Sequence, residues 1–112
     1  MHNENGQQQN QTVEQVAEML GISKSLIRFW EEEFDLSRRE NGSLTPLEVD
    51  EIKVINTMIK EREMSLEDAK NAFITERVRL ESKHKTLNRL IEIREKLVNL
   101  RNSLTKNGTW SD

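Results

Sequence analysis

Apolar residues recur at helical spacing along most of the chain. Val13, Val16, Ala17 and Leu20 form one set, and Leu26, Ile27, Trp30 and Phe34 a second. Ile52, Ile55, Met58 and Ile59 form a third, and Leu66, Ala69 and Phe73 a fourth. Intervals of three and four predict amphipathic helices over 12–20, 23–34, 46–62 and 65–76. Their starts are marked independently. Thr12 with Gln15 and Thr45 with Glu48 are capping boxes, Ser65 with Asp68 is a shorter variant, and Ser23 is a further N-cap. Pro46 falls at a first helical position, where its missing N–H costs nothing. A fifth helix is predicted over 78–104, and its rhythm differs. Leu90, Ile93, Leu97, Leu100 and Leu104 are spaced 3-4-3-4, an a/d seam of about two heptads. Leu87, Ile91 and Val98 widen the stripe, and Thr86 and Lys83 weaken it towards the amino end. A separately striped helix after a small core predicts pairing with a copy of itself.

Between and around these helices the chain is polar. Residues 1–11 are rich in Asn, Gln and Gly and predict a disordered arm. Residues 105–112 predict a flexible tail in which Trp110 is the one large apolar residue. Residues 35–44 predict a tight loop or a short hairpin.

Composition narrows the chemistry. The chain has 112 residues, 17 Lys and Arg against 20 Asp and Glu, and no Cys. That excludes a disulfide scaffold, a thiolate metal site and a cysteine nucleophile. Four Gly and one Pro argue against a many-stranded β fold. No run is long and apolar enough for a membrane span or a secretory leader, so a cytoplasmic protein is expected. No phosphate loop, nucleophile–base pair or marked carboxylate pair is visible, so an enzyme is not expected. His84 stands alone in the sequence, away from any ligand-spaced cluster, and no metal or other cofactor is expected. Residues 12–62 carry a charge of −4 and residues 63–104 carry +2. No segment is basic enough to bind nucleic acid in bulk, so a DNA-binding reading rests on a few placed cations.

Residues 12–34 read TVEQVAEMLGISKSLIRFWEEEF. One amphipathic helix ends at Gly21 and the next opens at Ser23, which is helix-turn-helix spacing with glycine at the turn. On the second helix Lys24 and Arg28 share a face beside Ser25 and Phe29, donors suited to phosphate oxygens and guanine edges. The run Glu31, Glu32 and Glu33 reads as a solvated face that repels DNA and so orients the helix.

Several of these stretches resemble, in order, the amino-terminal domain of MerR-family transcriptional regulators. Val16 and Ala17 through Leu20, Gly21, Ile22 and Ser23 resemble the family's first helix and turn. Ile27, Arg28, Phe29, Trp30 and Glu31 resemble its (I/L)-R-(Y/F)-(Y/W)-E signature. Arg38, Arg39, Glu40, Asn41 and Gly42 resemble the opening of its wing, and Thr45 to Val49 the start of its next helix. Lys60 to Glu67 resembles its linker into a fourth helix, and the terminal helix its antiparallel dimerisation coil. Two positions depart from the pattern. Gly42 is followed at once by Ser43, Leu44 and Thr45, so the wing is short and lacks the usual Arg and aromatic. Glu63 stands where the family usually has Gly.

The resemblance implies an all-α fold: a short-winged helix-turn-helix of four helices (12–76) followed by a long coiled-coil dimerisation helix (77–104). It implies a homodimer that binds double-stranded DNA at a pseudo-palindromic promoter and deforms the spacer so that RNA polymerase can engage it. Lys24, Ser25, Arg28, Phe29, Arg38 and Arg39 are the candidate DNA contacts. Leu90, Ile93, Leu97, Leu100 and Leu104 are the candidate dimer contacts. With no Cys and no further domain after the coil, the expected form is a minimal regulator without an effector domain. Two other readings fit the same pattern. One is a protein-interaction module that keeps the fold and has lost DNA binding. The other is an excisionase-like architectural factor of phage or plasmid type, which binds adjacent sites cooperatively.

Overall fold

The computed structural model describes residues 10–36 and 42–106. In chain order these form β1 (Gln11–Thr12), α1 (Val13–Leu20), α2 (Lys24–Glu33), β2 (Ser43–Leu44), α3 (Pro46–Asn56), a π-helical turn (Thr57–Glu61) and α4 (Leu66–Lys106). The architecture is all-α, a helix-turn-helix domain extended by one long helix. The expected arm over 1–9 and the tail from 107 with Trp110 lie outside the described residues.

The helix starts are built as the capping residues dictate. Thr12 Oγ1 accepts from the Gln15 N–H at 3.1 Å while Gln15 Oε1 accepts from the Thr12 N–H at 2.9 Å. Thr45 and Glu48 repeat this at 3.2 and 2.8 Å. Ser23 caps Leu26 and Ser65 caps Asp68 in the same sense. Both Thr caps are extended, with ψ of 160° and 161°. The residues leading into the two helices therefore run as strands, and they pair with each other. Gln11 sits opposite Leu44 and Thr12 opposite Ser43, antiparallel, and the Val13 N–H donates to the Gly42 carbonyl at 3.0 Å. Gln11 thus belongs to a strand rather than to a disordered arm. Ser43 and Leu44 take this remote partner through their main-chain groups.

The core gathers Val13, Val16, Ala17, Ile27, Trp30, Phe34, Leu36, Leu44, Val49, Ile52, Ile55, Met58, Ala69 and Phe73. Helices α1 and α2 meet across a turn in which Gly21 takes φ +69° and the Ile22 N–H returns to the Ala17 carbonyl at 3.0 Å. The third helix ends as a regular helix at Asn56, earlier than the periodicity predicts. The chain then loosens to i→i+5 bonding, with the Arg62 N–H reaching Thr57 O at 2.8 Å.

The largest difference from the sequence expectation is at 76–78, where a break between a fourth and a fifth helix was expected. One helix runs from Leu66 to Lys106 without interruption. Neither Gly nor Pro occurs within it, so nothing in the local chemistry ends it. What changes near residue 77 is the face that carries apolar side chains, and a helix can change its apolar face without breaking. Forty-one residues at about 1.5 Å each span about 62 Å, which matches the 62 Å longest dimension of the molecule. Packing against the domain continues to Leu80 and His84, both buried, and fades beyond them.

Glu63 closes the turn before α4 in the left-handed region, at φ +55°. An L-residue with a Cβ is strained there by about 1–2 kcal/mol. Glu63→Gly relieves the strain but enlarges the freedom of the unfolded chain. The net expectation is a gain of up to about 1 kcal/mol, read as a higher melting temperature by circular dichroism.

Candidate nucleic-acid interface

Helix α2 has two sides. Ile27, Trp30 and Glu31 are buried, with Phe34 just beyond its end. Lys24, Ser25, Phe29 and Glu32 are exposed, and Arg28 is half-exposed between the two sides. The four candidate contacts of this helix thus share its uncovered side. Phe29 keeps 45% of its surface exposed, although Trp30 beside it keeps 1%. Its ring therefore adds little to the core and offers a flat apolar face to solvent.

Each cation on this side has an acidic neighbour. Lys24 Nζ lies 3.3 Å from Glu14 Oε2 across the α1–α2 turn, with both side chains more than half exposed. The Glu14 carboxyl is held below its ordinary range, first by a main-chain hydrogen bond at its own residue and then by Lys24. A pair this open to water is weak, and a phosphate can displace it. Arg28 Nη1 lies 3.9 Å from Glu31 Oε1. On its other side, Nη2 is 4.0 Å from the point a Cβ on Gly42 would occupy. The guanidinium thus lies between Glu31 and the residue that leads into β2. Gly42 takes φ +72°, so a side chain there would be strained by the backbone, although it would meet Arg28 only at ordinary contact distance. Arg38 and Arg39, the other candidate contacts, lie outside the described residues.

The acidic run is not one solvated face. Glu31 is buried behind Arg28, Glu32 is exposed, and Glu33 is half-buried with its Oε1 3.3 Å from Lys70 Nζ. A run of three residues on a helix covers most of its circumference, so the three carboxylates meet three environments.

Two further groups escaped the sequence reading. Arg77 of α4 donates from Nη1 to the Phe34 carbonyl at 3.3 Å and from Nη2 to the Asp35 carbonyl at 2.9 Å. Its Nε lies 3.3 Å from Glu51 Oε2 and 3.8 Å from Glu81 Oε2. Its carbon centre stands 5.9 Å from the Phe73 ring, which meets the Phe34 ring edge-on at 5.3 Å. The signal was present in register, because Arg77 is four residues after Phe73 and three before Leu80, on the core side of the stripe. His84, isolated in sequence, is buried with Nε2 2.7 Å from Asp50 Oδ2, and Lys83 approaches the same oxygen at 3.5 Å.

Of the candidate dimer contacts, Leu90, Ile93, Leu97 and Leu100 are exposed, Leu97 by 61%, and Leu104 is half-buried. Four large apolar side chains on one stripe of a helix clear of the core form a surface that water solvates poorly.

Compared with known families, residues 11–74 match the family described as MerR HTH family regulatory protein. No curated protein and no solved structure matches the chain.

Burial raises the Glu51 carboxyl above its ordinary range; Arg77 pulls it back, and Glu48 and Glu81 add to the rise. A carboxyl with a raised folded-state value contributes most below the unfolded value, and that contribution is lost as pH rises through the folded value. Glu51→Gln has no proton to lose. It should be more stable than the parent at neutral pH, with the difference closing as pH falls towards the ordinary carboxylate range. Urea midpoints at the two ends of that range check both the sign and the closure.

Proposed function

The chain belongs to the MerR HTH family of regulatory proteins, and from that premise we propose that it is a cytoplasmic, DNA-binding transcriptional regulator acting as a homodimer on a pseudo-palindromic site. The observation that carries the reading is the uncovered side of α2. There Arg28, beside Gly42, stands with Lys24, Ser25 and an exposed Phe29. Arg28 is the base reader, since a guanidinium can engage a guanine edge with two parallel hydrogen bonds. Lys24 and Ser25 engage phosphate at the helix start, where main-chain N–H groups also favour an anion. Phe29 presses against the sugar-phosphate backbone, and Arg38 and Arg39 contribute from the wing. Residues 12–76 bind, and 77–104 join two copies through Leu90, Ile93, Leu97, Leu100 and Leu104. Bending of the DNA between two half-sites is the means by which such a dimer alters access for RNA polymerase. No helix among the described residues is long and apolar enough to cross a membrane.

A second reading is favoured by one specific observation: Lys24 and Arg28 each have a carboxylate oxygen within 4 Å. If those pairs hold, the domain is a protein-interaction module with the same fold.

Fluorescence anisotropy on duplexes selected from a random pool separates the readings. A regulator binds in the presence of excess unrelated duplex. Its affinity drops roughly a hundredfold on a fourfold rise in salt, as for about four phosphate contacts per dimer. Arg28→Ala lowers affinity by at least about tenfold, the scale of one lost base contact in each half-site. Absence of binding at low salt, from a folded dimer, decides for the interaction module.

The dimer is tested separately. Leu97→Glu places a charge in the seam of both copies and should shift the sedimenting species to monomer while the circular dichroism of the domain is retained.

A further inference from the structure

We propose that Arg77 is a positioning residue that sets the angle between the recognition helix α2 and the seam-bearing half of α4, and thereby selects the spacing between half-sites. The inference rests on the reading of α2 as the DNA-contacting helix.

The end of α2 requires an external partner. After Glu33 the chain reverses through Phe34 and Asp35, with Asp35 at φ +54°. Carbonyls at a helix end lack the next turn that would satisfy them. Arg77 takes two of them at once, the Phe34 and Asp35 oxygens, with two nitrogens of one rigid plane. Two parallel bonds from a planar group fix orientation as well as distance, which a lysine ammonium does not do. The guanidinium is itself aligned from the other directions by Glu51 on α3, by Glu81 one turn further along α4 and by the Phe73 ring. Lys70 reaches the same end of α2 through the half-buried Glu33, but by a single pair between two flexible side chains, which limits distance and leaves orientation free.

The uninterrupted α4 turns this contact into a lever. Arg77 and the seam residue Leu97 lie on one helix without Gly or Pro between them. They are about 30 Å apart along its axis, so a 5° rocking of α2 on α4 displaces the seam by about 2.6 Å relative to the recognition helix. Hydrogen bonds to base edges tolerate far less than that. A residue that merely stabilised the fold would affect all DNA sites alike. A residue that holds this angle affects the choice among spacings.

The test needs two readouts, and the absence of Cys makes the first direct. Spin labels are introduced through Glu32→Cys on α2 and Asn102→Cys on α4, both exposed positions. The doubly labelled chain is diluted into excess unlabelled chain, and the intramolecular distance distribution is measured without DNA. Arg77→Lys, which keeps the charge, and Arg77→Met, which keeps the length, should each broaden a single narrow distribution while the protein remains folded and dimeric. The second readout is affinity for a selected duplex whose half-site spacing is changed one base pair at a time. The preference of the parent for its best spacing over its neighbours should fall by roughly tenfold in Arg77→Lys, the scale of one lost base contact, with affinity for a single half-site unchanged. A distribution that stays narrow in both variants overturns the inference. So does an unchanged spacing preference accompanied by a uniform loss of affinity. If the parent binds no duplex while the variants still broaden the distribution, the angular role stands and the DNA reading falls.

Discussion

Ala69 and Phe73 lie on the side of α4 that faces the domain, and Phe73 meets Phe34 at the end of α2. Without that wall the three shorter helices would leave Phe34, Met58 and the end of α2 against water. A domain this small has little apolar area to spare, so the proximal half of α4 is part of the core rather than an attachment to it. Everything further out inherits its direction from this packing: Arg77 caps α2, Leu80 and His84 carry the contact along α3, and the exposed leucines follow on the same rigid rod. The elongated shape and the position of the exposed apolar stripe are consequences of one helix that walls the core and then runs on beyond it.

Electrostatics shapes how such a domain meets DNA. Residues 12–62 are net acidic, so long-range attraction is weak and binding depends on short-range donors. Arg28 is suited to this. It is half-exposed, with Glu31 on one side and the Gly42 segment on the other. The carboxylates of the acidic run therefore have different partners: Glu31 lies behind Arg28, while Glu33 pairs with Lys70 on α4.

The helix starts, the turn at Gly21 and the family were readable from the chain alone. N-caps, capping boxes and apolar spacing are local signals, settled by neighbours three and four residues away. The apolar stripe of Leu90, Ile93, Leu97 and Leu100 was readable for the same reason, since a heptad is a local pattern. Two things were not. Pairing of Gln11 and Thr12 with Ser43 and Leu44 joins segments about thirty residues apart, and two-residue strands carry no periodicity to read. The other is the continuity of α4, because along the chain a change of apolar face looks the same as the end of a helix.

Sequence by itself determined where helices begin, which faces of α1, α2 and α3 are apolar, and that Lys24, Ser25, Arg28 and Phe29 share the side of α2 that the core leaves uncovered. Tertiary structure alone decided which charges are partners. Arg77 looks like one basic residue among several on a charged helix, and His84 like an isolated imidazole. Each finds a partner far along the chain, Arg77 at the Glu51 carboxylate and the Asp35 main-chain carbonyl, and His84 at the Asp50 carboxylate. Electrostatic and hydrogen-bonding contacts depend on separation in space, and separation along the chain bounds that distance only over a few residues.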